Sequence, residues 1–179
     1  MRDFKTLWSD FKKEFVNQIK LQSEKGLTEA WFNRTNRTNF YVKEIFPLVA
    51  KNMDLVLTKE LFKVDAAMAM KSQPDNWEIP IIFIESENVI SSALEEVDKL
   101  CSLSAPVRVL ITIGDKKDPD TKAKIDEWAS LIKAYSKIWS NKGIIGIIIA
   151  DYQLNFISMA WGENGEQIEE EHIYSHDLK

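Results

Sequence analysis

ELFKVDAAMAM (residues 60–70), WEIPIIFIESEN (77–88) and VRVLITI (107–113) carry the pattern that decides the fold. Ile79 to Glu85 is a continuous apolar run of the kind that forms a strand buried on both faces. The stretch from Leu61 to Met70 reads as the strand before it, and Ser72-Gln73-Pro74-Asp75-Asn76 between them is turn chemistry. Ser91 or Ser92 caps a helix reaching to about Leu103, with Leu94, Val97, Leu100 and Cys101 on its inner face. Val107 to Ile113 is a second buried strand. Strand, helix and strand in that order imply a parallel pair joined by a right-handed crossover.

Working outward, Leu55 and Leu57 suggest a further short strand ahead of Thr58-Lys59-Glu60. Phe4, Leu7, Trp8, Phe11, Phe15 and Ile19 recur at three- and four-residue steps, which predicts a first helix ending near Gly26. The polar run NRTNRTN (33–39) reads as a turn and an N-cap. Tyr41, Ile45, Leu48, Val49 and Met53 predict a second helix, with Pro47 in its first turn or kinking it. Downstream, a helix from about Thr121 to Trp139 precedes strands at Ile144–Ala150 and Asn155–Trp161. The expected fold class is α/β, a three-layer domain with a central mixed sheet flanked by helices. No repeat or linker divides it, so residues 1–179 read as one domain. Residues 1–52 are its helical part, 53–165 its sheet core and 166–179 a polar, partly disordered tail.

The chain has 179 residues, enough for a sizeable core, and its composition is that of a soluble globular protein. A net charge of -5 excludes a broadly basic surface, so any nucleic-acid contact must be local. Cys101 is the lone cysteine and rules out an internal disulfide or a cysteine-rich zinc site. The charged start lacks the apolar stretch of a signal peptide, and no run is long enough to span a bilayer. A cytoplasmic protein without membrane contact is expected, with the sequons at Asn33 and Asn36 idle.

The carboxylates narrow the reading. Glu85 and Glu87 stand two apart at the end of a strand and project to one face. Asp65 lies in the preceding strand, and a hairpin would bring all three together. Three converging carboxylates repel unless a cation neutralises them, and that many hard oxygen donors suit Mg²⁺ or Mn²⁺. The plain alternative is that the acids end their strands facing water.

These stretches, from Glu44 to Ile113, resemble the catalytic core of the PD-(D/E)XK nucleases, the restriction-endonuclease-like fold. Asp65 matches the first acid of the motif and Glu85 the acid of its (D/E)-x-K element. Glu87 stands where lysine is usual, as in the BamHI-like Glu-Ser-Glu variant. The resemblance implies a metal-dependent endonuclease hydrolysing DNA phosphodiester bonds, with Asp65, Glu85 and Glu87 catalytic. It implies Mg²⁺ (or Mn²⁺) held by Asp65, Glu85 and the Ser86 carbonyl. Glu44 is the first choice for a further acid from the preceding helix, with Glu14 or Glu60 in its place otherwise. The alternative is a catalytically inactive relative serving as a binding or assembly subunit, which the acidic balance and the missing lysine support.

A relocated lysine is the remaining question. Lys99 on the next helix could reach back to the acids, but pairing with Glu95 in solvent is the expected arrangement. Lys63 shares strand parity with Asp65 and could also approach. For DNA the candidates are Arg34 and Arg37 in the NRTNRTN run, Lys43 and Lys51 beyond it, and Lys116-Lys117. Nothing else resembles a recognition module, so little intrinsic sequence specificity is expected, or specificity supplied by a partner subunit, a protein partner or a homodimer. Asp115 to Asp126 lacks the glycine and final glutamate of a calcium loop. His172 and His176 read as an idle pair, Cys101 as an inert core thiol, and Trp8, Trp128, Trp139 and Trp161 as packing.

Overall fold

The computed structural model describes residues 3–138 and 142–176. Asp3 opens helix α1 (Phe4–Lys20) by accepting a hydrogen bond from the Thr6 N–H at 2.9 Å. The helix buries the expected stripe of Leu7, Trp8, Phe11, Phe15 and Ile19. It stops at Lys20, short of Gly26. Ser23 then starts α2 (Glu24–Phe32), accepting from the Gly26 N–H at 3.1 Å, so Gly26 lies in the first turn of a helix and ends none. Asn33 accepts from the Asn36 N–H at 2.8 Å and caps α3 (Arg34–Asn39), so NRTNRTN holds the expected N-cap, followed by a helix where a turn was expected. In both cases a side-chain oxygen satisfies an amide donor that a helix start would leave free. Phe40–Ile45 winds as a π-helix before α4 (Phe46–Asn52), in whose first turn Pro47 sits. Proline has no N–H to return to the preceding turn, which suits both its place and the widened winding ahead of it.

Seven strands form one mixed sheet, and their order across the sheet is their order in the sequence. They are β1 (Val56–Lys59), β2 (Ala66–Lys71), β3 (Glu78–Glu87), β4 (Val107–Ile113), β5 (Ile144–Ala150), β6 (Phe156–Trp161) and β7 (Gln167–Tyr174). β1, β2 and β3 pair antiparallel, as do β5, β6 and β7. β3, β4 and β5 are parallel, with α5 (Ala93–Ser102) and α6 (Pro119–Ile138) as the connections.

The strands alternate between two cores. Ile82, Ile84, Val109, Ile111, Ile148 and Phe156 pack under α1 to α4. Phe83, Leu110, Ile145, Ile147 and Met159 pack under Val97, Leu100, Trp128 and Ile132 of α5 and α6. With both faces covered, β4 and β5 are buried along their whole length, which is why their sequences are continuously apolar. The Trp8 ring lies so close over Gly146 that a Cβ there would come within 2.4 Å of it.

Two expectations about strands change. Leu61–Lys63 is a 3₁₀ turn and β2 begins at Ala66, so Asp65 sits one residue outside the strand. The acidic stretch after Glu166 is no frayed tail, because β7 pairs with β6 along it. Its charge is met from α1: buried Lys12 donates from Nζ to Glu169 at 2.5 Å and also to Glu171, and Trp8 Nε1 donates to Glu169 at 2.9 Å. Trp139, and residues 177–179 of the expected tail, lie outside the described residues. No helix among the described residues is long and apolar enough to cross a membrane.

Candidate functional site

The register of the β2–β3 hairpin builds the centre of the site. Ala66 pairs with Ile84, so Asp65 stands beside Glu85 at the end of the ladder. Its Oδ2 accepts from the Ser86 N–H at 2.8 Å, which ties it to the neighbouring strand. The turn that delivers it is strained: Glu60, Phe62 and Lys63, none of them glycine, have φ of 55°, 54° and 65°. Left-handed backbone at such residues persists only where the surroundings over-determine it, and it concentrates at functional sites. Here the Phe62 ring packs edge-on against Phe83 with centroids 5.9 Å apart.

Glu85 pairs with Leu110 and faces the α5–α6 layer, where it is 3% exposed. α5 seats itself on that face through Ala93, Val97, Leu100 and Cys101. Glu96 and Lys99, one helical step apart, border this buried stripe. Lys99 therefore does not pair with Glu95 in solvent. Its Nζ donates to Glu85 Oε1 at 2.7 Å, to Glu96 and to the Lys63 carbonyl at 3.3 Å. The result is an ammonium held between one acid from the end of β3, one from α5 and the Lys63 carbonyl. No protein-family model and no curated protein matches this chain.

Burial pushes the Glu85 carboxyl up to about 7, with the Lys99 hydrogen bond opposing the rise and Glu96 and Asp65 adding to it. Burial likewise raises Asp65, against the Ser86 N–H. Burial acts to lower Lys99, but its bonds to Glu85 and Glu96 outweigh that and raise it. Folded Glu85 thus holds its proton more tightly than unfolded Glu85, whose value is the ordinary 4.5. Its contribution to stability is fully present below that value and is lost as pH rises towards the folded one. The melting temperature of the wild type should therefore fall more steeply between about pH 5 and about pH 8 than that of Glu85→Gln. Parallel profiles in a scanning-fluorimetry series would show that Glu85 titrates as an ordinary surface acid.

The other expected members scatter. Glu87 shares the face of Glu85, but its Oε1 turns back to cap the Val89 N–H at 2.7 Å. Glu44 is exposed and lines a cleft with Glu29 and Asn36. Glu14 is bound to Gln18 and Asn52, both at 2.5 Å. Glu60 and Lys63 are exposed in the strained turn, and only the Lys63 carbonyl joins the site. Arg37 is 5% exposed, donating to Asn88 Oδ1 at 2.8 Å and to the Trp31 carbonyl, so it ties α3 to the end of β3. Arg34 and Lys43 are exposed. His172 lies on β7 against Ser175, and burial pushes the Cys101 thiol up to about 12. A cavity of 750 Å³ opens beside the carboxyl ends of β4 and β5, lined by Lys116, Lys122, Asp151 and His172 and by neither Asp65 nor Glu85.

Among the described residues no group of three or more His, Cys, Asp or Glu side chains is arranged to hold a metal ion, and Glu87 is turned to Val89 instead of Asp65 and Glu85. Asp65 and Glu85 remain as two adjoining hard oxygen donors, each raised from its ordinary value by burial. That donor set fits Mg²⁺, which takes one or two carboxylates and keeps several waters. Glu96 was missed from the sequence. Its signal was its place three residues from both Ala93 and Lys99, at the border of the buried stripe of α5.

Proposed function

We propose that the chain is a metal-dependent endonuclease of the restriction-endonuclease-like class, hydrolysing DNA phosphodiester bonds at Asp65 and Glu85. The observation that carries this reading is Lys99, whose Nζ sits 2.7 Å from Glu85 Oε1 beside the carboxylate pair. A lysine from the helix after Glu-Ser-Glu there takes the place of the one the motif lacks at Glu87. The order of three antiparallel strands, a helix and a parallel strand around these residues supports the same class. Asp65 and Glu85 would hold Mg²⁺ or Mn²⁺, which would polarise a phosphoryl oxygen and acidify a bound water. Lys99 brings positive charge and N–H donors to the non-bridging oxygens, and Glu96 fixes the ammonium from its other side.

The second reading, a subunit of this fold that binds without cutting, is favoured by the ammonium already lodged between Glu85 and Glu96. Plasmid and single-stranded DNA incubated with Mg²⁺ or Mn²⁺ decide between them, beside a Mn²⁺ titration followed by electron paramagnetic resonance. Cleavage with Mn²⁺ binding supports the enzyme. Salt-sensitive DNA binding with neither supports the subunit.

The arginines separate affinity from folding. Arg34→Ala should weaken duplex binding at low salt and lower the salt slope by about one, as loss of one phosphate contact does. Its stability should stay within about 0.5 kcal/mol of the wild type. Arg37→Ala should cost about 1–3 kcal/mol in urea unfolding, because it removes a buried side chain and its bonds to the partly buried Asn88 Oδ1 and Trp31 carbonyl. Equal stability of the two variants would contradict the placement of Arg37.

A further inference from the structure

Thr112 is 1% exposed on β4, and its Oγ1 is buried with no hydrogen-bond partner among the described residues. A valine would fill the same volume without a stranded hydroxyl, so packing does not explain a threonine here. The register gives the neighbour: Thr112 is the partner of Glu87 across the parallel β3–β4 pair, one step beyond Glu85 and Leu110 on the α5–α6 face. Adjacent strands are about 4.8 Å apart, so the hydroxyl lies within reach of a Glu87 carboxylate turned inward along that face. In the present conformation Glu87 instead caps the Val89 N–H at 2.7 Å.

We infer that Thr112 is a positioning residue of the carboxylate site, its hydroxyl donating to Glu87 when that side chain leaves Val89 and turns inward to join Asp65 and Glu85. The inference rests on the metal-dependent reading above and adds to it a moving third acid with a seat already built. The exchange is one hydrogen bond for another: Glu87 gives up a backbone amide at a strand end and gains an otherwise unused hydroxyl. A divalent ion held by Asp65 and Glu85 would favour the inward position by its charge, whereas Lys99 alone leaves Glu87 outside.

The test compares wild type, Thr112→Val and Thr112→Ser by Mn²⁺ titration and thermal melting. Thr112→Val should melt no lower than the wild type, since it removes only an unpaired hydroxyl, and should bind Mn²⁺ about 10-fold or more weakly, as loss of a ligand-orienting partner does. Thr112→Ser, which keeps the hydroxyl, should restore most of the affinity. Wild-type affinity in Thr112→Val overturns the inference and leaves the metal site standing. A lower melting temperature in Thr112→Val together with unchanged affinity assigns the hydroxyl to the fold and overturns it equally. A wild type that binds no Mn²⁺ removes the metal site, and the inference with it.

Discussion

On the proposed reading, Asp65→Ala and Glu85→Ala should lose Mn²⁺ binding and slow DNA cleavage by on the order of a hundredfold to a thousandfold. Each substitution removes one of two oxygen donors, and the charge stabilisation a divalent ion gives a phosphoryl group is worth several kcal/mol, at about tenfold per 1.4 kcal/mol. Lys99→Met divides the roles further. It takes away the ammonium that contacts Glu85 at 2.7 Å, so cleavage should fall while Mn²⁺ binding should be kept or tightened by the loss of a competing cation. A stopped plasmid assay with metal titrations on the same preparations measures all three. Cleavage unchanged in Asp65→Ala and Glu85→Ala would place the chemistry elsewhere. Loss of Mn²⁺ binding in Lys99→Met would mean that the lysine organises the acids and does not merely neighbour them.

The second large effect concerns stability. Trp8→Ala should cost about 3–5 kcal/mol, the usual range for emptying a buried aromatic site. The Trp8 side chain is 1% exposed, covers Gly146 and donates to Glu169, so its removal opens space over β5 and frees a bond to β7. For a chain of this length that corresponds to a fall in melting temperature of roughly 2–4 °C per kcal/mol. Differential scanning calorimetry provides the check, and a fall under a few degrees would mean that α1 is not seated on the sheet as described. Gly146→Ala should also destabilise, because the indole and not a flexible chain end meets the added methyl.

The parts of this fold that were legible from the sequence are those whose cause is local. β4 and β5 announce themselves because a strand buried on both faces must be apolar throughout. The adjacency of Asp65 and Glu85 followed from a turn between two strand-like runs, although Asp65 proved to lie just before its strand. The acids of β7 read as a solvated tail because their partner, Lys12, lies 157 residues from Glu169. Nothing near Glu169 or Glu171 signals a buried ammonium. The helix at Arg34–Asn39 was hidden for the opposite reason, since asparagine and threonine favour both turns and caps, and only the Asn33 bond to Asn36 decides between them. Within the site, the direction of Lys99 depended on how α5 lies on β3 and β4. Pairs three or four apart on a helix look equivalent until one side of it is buried.

The strand order bears on how the chain finds its fold. Every strand hydrogen-bonds only to those immediately before and after it in sequence, so each closure spans one connection, a turn between antiparallel strands or a single helical crossover between parallel ones. The contact of α1 with β7 is different, because it joins the two extremes of the described chain through Lys12, Glu169 and Glu171. That closure brings the first helix of the sequence onto its last strand. Until it is complete, Lys12 has no acid to neutralise it, and the far edge of the sheet has nothing from α1 to hold it in place.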